Sequence, residues 1–241
     1  MCILKRNFNI QGEKCITYIP EKPNGFGLMI IGDKTNYITS NSWFWEDSPG
    51  RYNILSRLLD DGYTVFSVNL SGNHWGNNSV SNLIIKLYNH VLKNEILNPS
   101  IHLLTEGNGA LLINSLLKEI SKFRSISCID PLFSIKDCIL LEENQRIYYK
   151  TSLKEICEAY KLKENEIFSF LLRNELVETI NYPVRIYTSA KLTVYQKYKN
   201  SLIMNFCDKY IQDYSIKYYM DDTKYSQILN ITSFLKRYEK I

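Results

Sequence analysis

The chain predicts an α/β protein: a mostly parallel sheet with helices on both faces and a small helical cap insert. Three observations carry that expectation. Short, continuously apolar segments recur along the sequence and have the character of strands covered on both faces. Between them lie stretches whose apolar residues fall at helical spacing. The stretch Ile101-His-Leu-Leu-Thr-Glu-Gly-Asn-Gly-Ala-Leu-Leu-Ile113 joins one such strand to one such helix through a turn built on two glycines.

Taken in order, Ile3 to Ile10 and Lys14 to Ile19 alternate loosely around Gln11-Gly12-Glu13 and predict an antiparallel hairpin at the sheet edge. Gly25 to Ile31 is a short buried strand ended by Gly32-Asp33-Lys34. Trp43-Phe44-Trp45 falls in the next loop, and Tyr52 to Leu59 has helical periodicity closed by Asp60-Asp61-Gly62. Tyr63 to Leu70 is the following strand, ending in Ser71-Gly-Asn-His-Trp-Gly-Asn77. Val80 to Leu97 carries a helical stripe through Leu83, Ile84, Leu87, Val91 and Leu92. The strand Ile101 to Leu104 and a helix over Ala110 to Ile120 flank the glycine turn, and Ser125 to Asp130 is a further strand stopped by Pro131.

From about 132 to 181 the rhythm pauses in polar, helical sequence, including Leu153 to Ala159 and Ile167 to Leu176. An inserted cap within a single domain spanning 1–241 accounts for it. The alternation resumes with a strand at Pro183 to Thr188, a helix over Gln196 to Tyr210, a strand at Ser215 to Met220 and a last helix over Tyr225 to Tyr238.

Of 241 residues, 45% are hydrophobic and 13% aromatic, enough to bury a core and exclude disorder. The net charge of +4 is spread out, so no nucleic-acid partner is expected. No apolar run approaches a membrane span, and the N-terminus lacks a leader's apolar core, so a cytoplasmic location is expected. Cys2, Cys15, Cys128, Cys138, Cys157 and Cys207 are scattered and read as reduced thiols. Three histidines and these cysteines give no zinc spacing, and neither a phosphate loop nor a dinucleotide signature is present, so no metal or cofactor is expected.

These residues together resemble the α/β-hydrolase fold superfamily. The resemblance rests on Gly25 to Asp33 as the strand leading to an oxyanion loop and on Tyr63 to Gly76 as a strand with its glycine turn. It rests equally on Thr105-Glu-Gly-Asn-Gly109 at the nucleophile elbow, on Ile129-Asp130-Pro131 and on Pro183-Val-Arg-Ile-Tyr187. It implies a serine, an acid and a histidine in that chain order. The elbow position holds Gly107 instead. The acid loop, Ser189 to Tyr195, has no carboxylate, the histidine loop reads Asp221-Asp-Thr-Lys-Tyr225, and no histidine follows His102.

Candidate residues therefore gather around a degenerate elbow: Gly107, Asn108, Glu106, Gly32, Asp33, His74 and Trp75. Glu106 is expected to point away from the pocket, and Asn108 to offer a backbone N–H to an anion. His74 is the one histidine near the elbow, with backbone ties or packing on Trp75 as its structural reading. Asp130 is expected to bond nearby backbone, and Asp221-Asp222 to form a solvated turn. Trp43, Phe44, Trp45 and Trp75 suit core packing or, failing that, a pocket or a partner. The leading functional expectation is a non-catalytic pseudo-hydrolase that binds a small apolar or acyl-like ligand or a protein partner. The alternative is an esterase-like or thioesterase-like hydrolase or acyltransferase with a relocated catalytic set, using His74 with water or a cysteine from elsewhere. A subunit of a biosynthetic or defence assembly in a low-GC bacterium is the weaker third reading.

Overall fold

A computed structural model of the chain describes residues 3–70, 72–142, 146–173 and 178–239. Cys2, Ser71 and the end of the helix expected to reach Leu176 lie outside the described residues. The strands are β1 (Leu4–Ile10), β2 (Glu13–Ile19), β3 (Gly27–Ile31), β4 (Thr64–Val68), β5 (Ile101–Glu106), β6 (Phe123–Ile129), β7 (Val184–Ser189) and β8 (Tyr214–Tyr219). They form one sheet in the order β1-β2-β4-β3-β5-β6-β7-β8. The hairpin β1-β2 pairs antiparallel and sits at the edge, β2 meets β4 antiparallel, and every later pairing is parallel.

The interior strands are buried along their whole length because both faces are covered. Successive side chains alternate between the two layers. Met29, Ile31, Phe66, Val68, Ile101, Leu103, Ile126 and Cys128 enter one core. Leu28, Ile30, Val65, Leu104 and Ile129 enter the other. The first core is closed by α3 (Asn78–Asn94), α4 (Ile113–Glu119) and α8 (Val194–Tyr210), and the second by α1 (Phe44–Asp47), α2 (Pro49–Asp60), α9 (Lys224–Ile228) and α10 (Ile231–Leu235). Asn77 caps α3 by accepting from Val80 N–H at 3.1 Å, and Thr193 caps α8 by accepting from Gln196 N–H at 3.2 Å.

Three local expectations need correction. The tryptophan loop is partly helical: the Glu46 carboxylate accepts Trp43 N–H at 3.1 Å and starts α1. Trp43 and Trp45 are fully buried and stacked, so they are core residues and not a partner surface. After the glycine turn the chain first winds as a tight 3₁₀ segment, Gly107–Leu112, and becomes α-helical only at Ile113. The last helix is broken at Leu229-Asn230 into α9 and α10, with Asn230 a poor residue for a helix interior.

Between β6 and β7 the chain adds α5 (Ile135–Glu142), α6 (Arg146–Tyr160) and α7 (Ile167–Arg173), which share a small apolar cluster with Trp75. No helix among the described residues is long and apolar enough to cross a membrane.

Candidate functional site

Because β3 to β8 run parallel, the loops after them open at one edge of the sheet, where ligands bind in such folds. That edge brings together the loops carrying Asp33, His74, Gly107, Asp130, Ser189 and Asp221. At its centre β5 turns into the 3₁₀ segment at Gly107, whose φ of +52° lies in the left-handed region that glycine enters without strain. Gly109 packs against β3 so closely that an added Cβ would lie 2.5 Å from the Ile31 carbonyl oxygen.

The space above Gly107 is already filled. A Cβ placed on it would lie 2.4 Å from Cγ of Asp33 and 2.5 and 2.7 Å from the two carboxylate oxygens. Asp33 Oδ1 accepts from Lys34 N–H at 2.8 Å and from Asn108 N–H at 3.0 Å. The expected anion-binding N–H of Asn108 therefore holds this chain's own carboxylate. Gly32 lets the loop close this way, since a Cβ there would strike the side chain of Asn36 at 2.4 Å.

Glu106 points to the opposite side, into a buried pair with Arg51. Arg51 Nε donates to Glu106 Oε2 at 2.9 Å and Nη2 donates to Oε1. Its remaining nitrogen donates to Ser48 Oγ at 3.1 Å and to the Tyr225 hydroxyl at 3.0 Å, and the guanidinium lies 4.5 Å from the Phe44 ring centre. A buried carboxylate beside the turn is thus neutralised and fixed by a fork of donors.

His74 is buried, and its Nδ1 accepts Gly76 N–H at 3.0 Å. Its Nε2 has no partner among the described residues. Burial pushes its pKa down to about 4, with the Asp33 charge acting in the other direction. His102, inside β5, bonds Ser125 Oγ at 2.8 Å, and burial pushes it down to about 3. Both rings fold as neutral imidazoles, so the unfolded chain takes up protons below about pH 6.5 that the folded chain refuses. Their contribution is complete above pH 6.5 and is lost as pH falls toward 4 for His74 and toward 3 for His102. Thermal melts should show a loss of order 1–2 kcal/mol per histidine between pH 7 and pH 5. A flat profile over that range would contradict the assignment.

Trp75 takes a positive φ of +44° and is buried. Its indole N–H donates to Glu155 at 3.2 Å and its carbonyl accepts the Tyr160 hydroxyl at 2.9 Å, which ties the loop after β4 to α6.

At the other end of the edge Asp130 differs from expectation. It has φ +48°, and its carboxylate accepts the Lys224 ammonium at 2.9 Å and the Tyr219 hydroxyl, not nearby backbone. Asp221 is exposed and accepts Ser189 Oγ at 3.0 Å and Lys191 Nζ at 3.1 Å. Lys199, from α8, donates to the Asp130 carbonyl at 3.0 Å. These groups, with Thr193, Tyr195 and Gln196, line a cleft of about 410 Å³. No motif marks Lys199, Lys224 or Tyr219 in the sequence, because they meet only where the last two β-α connections fold back on the sheet. Among the described residues no group of acids, histidines and cysteines is placed to hold a metal ion, and the described cysteines are free thiols.

No family model and no curated protein matches the chain. Solved structures do. An esterase from the bacterial hormone-sensitive lipase family superposes with a TM-score of 0.66 at 11% identity, over 99% of this chain and 85% of that one. An epoxide hydrolase from Vigna radiata gives 0.61 at 12% identity, over 98% of each chain. An S-formylglutathione hydrolase from Staphylococcus aureus gives 0.60 at 14%, over 97% of this chain and 98% of that one. The fold is the α/β-hydrolase fold. The expectation of a non-catalytic protein is corrected by these likenesses, since the structures sharing the fold are those of hydrolases. That expectation rested on blank nucleophile, acid and histidine positions together, and the first of these, the elbow, is itself occupied, by Asp33.

Proposed function

We propose that the chain is a serine-independent hydrolase of acyl esters in which the Asp33 carboxylate, standing where an elbow side chain would be, acts as general base on a water nucleophile. One observation carries this reading: the carboxylate fills the volume that a side chain on residue 107 would occupy, on the N–H of the following residue. In this reading Asp33 takes a proton from water as the water oxygen bonds to the ester carbonyl carbon. Protonation removes the charge that holds the N–H groups of Lys34 and Asn108, and these donors turn to the oxyanion forming beside them. Collapse breaks the bond to the alkoxy group, which leaves with the proton from Asp33. The esterase among the structural neighbours supports the substrate class. The 132–181 segment acts as a cap, joined to the loop after β4 through Glu155 and Tyr160.

The test is turnover of short-chain p-nitrophenyl esters by the purified chain before and after a fluorophosphonate serine reagent. Hydrolysis is expected in both samples, with no covalent label on the chain. Absence of turnover, or its loss together with labelling of one serine, would overturn the reading.

A further inference from the structure

Three lysines converge on the ends of β6, β7 and β8, and they are not equivalent. Lys224 is matched by Asp130 at 2.9 Å and Lys191 by Asp221 at 3.1 Å. Lys199 is in no ion pair among the described residues and spends one of its three donors on the carbonyl oxygen of Asp130. Asp33 and Asp130 act on it through space, yet the contacts of their carboxylates are with the N–H groups of Lys34 and Asn108 and with Lys224 and Tyr219. Lys199 is half-buried, and its desolvation disfavours the ammonium and lowers its pKa. With no carboxylate against it, this partly desolvated cation keeps donors to spare for a further acceptor.

The cleft in front of Lys199 has room for the missing charge, at about 410 Å³. Its wall includes Tyr195 and the cap residue Thr193, so the first turn of the 17-residue helix α8 opens on the same space. The Thr193 hydroxyl takes the N–H of Gln196 and its carbonyl that of Lys197, while the N–H groups of Val194 and Tyr195 have no acceptor within the helix.

We propose that this cleft binds a small oxyanion, the phosphate or carboxylate group of a larger molecule, with the Lys199 ammonium as its central contact. The Tyr195 hydroxyl and the opening N–H groups of α8 complete the donor set. The anion site stands on this geometry alone. That the anion is part of the substrate rests on the hydrolase reading, and it changes the ligand class from apolar to anionic.

Calorimetric titration of the full chain with inorganic phosphate, and separately with acetate, at constant ionic strength tests the site without measuring turnover. Saturable binding of at least one anion is expected, and the tighter of the two identifies the source. Lys199→Gln should weaken it about tenfold or more, while Lys199→Arg stays close to the parent. The exposed Lys118→Gln should change nothing. Asp33→Asn, inactive under the hydrolase reading, should still bind, so failure of that reading and failure of this one are separable. If Lys199→Gln does not fold, phosphate should instead protect Lys199 from acetic anhydride in the parent chain, read by mass spectrometry. No saturation by either anion, unchanged affinity in folded Lys199→Gln, or acetylation of Lys199 indifferent to phosphate would overturn the proposal.

Discussion

Asp33→Asn is expected to lower kcat/KM for short-chain p-nitrophenyl esters by about 10²- to 10⁴-fold, the usual contribution of a positioned general base. The substitution isolates proton transfer from architecture. Asparagine has nearly the same shape, and its carbonyl oxygen can accept the same N–H groups, those of Lys34 and Asn108. It cannot carry away a proton. The melting temperature should therefore stay near that of the parent while activity collapses. A general base keeps both of its oxygens, whereas an attacking carboxylate forms a mixed anhydride and exchanges one oxygen with solvent when water opens that anhydride at the aspartyl carbon. Single turnover in heavy-oxygen water should thus leave Asp33 unlabelled, and label in its carboxylate would reassign it as nucleophile. Activity retained in Asp33→Asn would remove it from the chemistry altogether.

Arg51→Leu is expected to destabilise the chain by about 3–5 kcal/mol, because it strands the Glu106 carboxylate in the interior. The loss exceeds that of an ordinary surface ion pair, for which the median is about 0–1 kcal/mol. Both oxygens of Glu106 face Arg51, and the guanidinium also holds Ser48 and Tyr225, so one substitution releases α2, α9 and the strand before the turn together. Pairing it with Glu106→Leu should recover part of the stability, since the orphaned charge goes with it. Urea unfolding of the single and double variants measures both terms. A double variant no more stable than Arg51→Leu would show that the stranded charge is not the cause.

Much of the sheet is legible because its strands are buried on both faces, which writes near-continuous apolar runs into the sequence, such as Leu28 to Ile31 and Val65 to Val68, the latter broken only by Ser67. The edge hairpin is legible through its turn at Gln11-Gly12. Less visible is how the chain leaves β5. Helical periodicity from Ala110 does not distinguish the 3₁₀ winding that precedes Ile113. The candidate residues divide in the same way. Asp33, Gly107 and Asn108 stand out one by one, each at a strand end or a glycine turn. Their meeting is a contact across 75 positions, and nothing local encodes it. Residue 107 alone reads as an empty elbow, where the structure places Asp33 as well. Lys199 and Lys224 are illegible for a related reason: each sits within a helix and acquires meaning only beside Asp130.

The interlock of Gly107 with Asp33 also constrains how this site can change by mutation. A serine at 107 enters a volume already taken by the carboxylate, on backbone that only glycine adopts freely. Asp33→Ala opens that volume but removes the group there before any new one arrives. Neither change alone places a serine in an open elbow, and even the pair would still need the acid and the histidine that the later loops do not carry. The fitness effect of each depends on the other, so a population carrying this pair is separated from the serine form by a valley. For an engineer the same coupling sets the order of operations: clear position 33 first, then refill position 107.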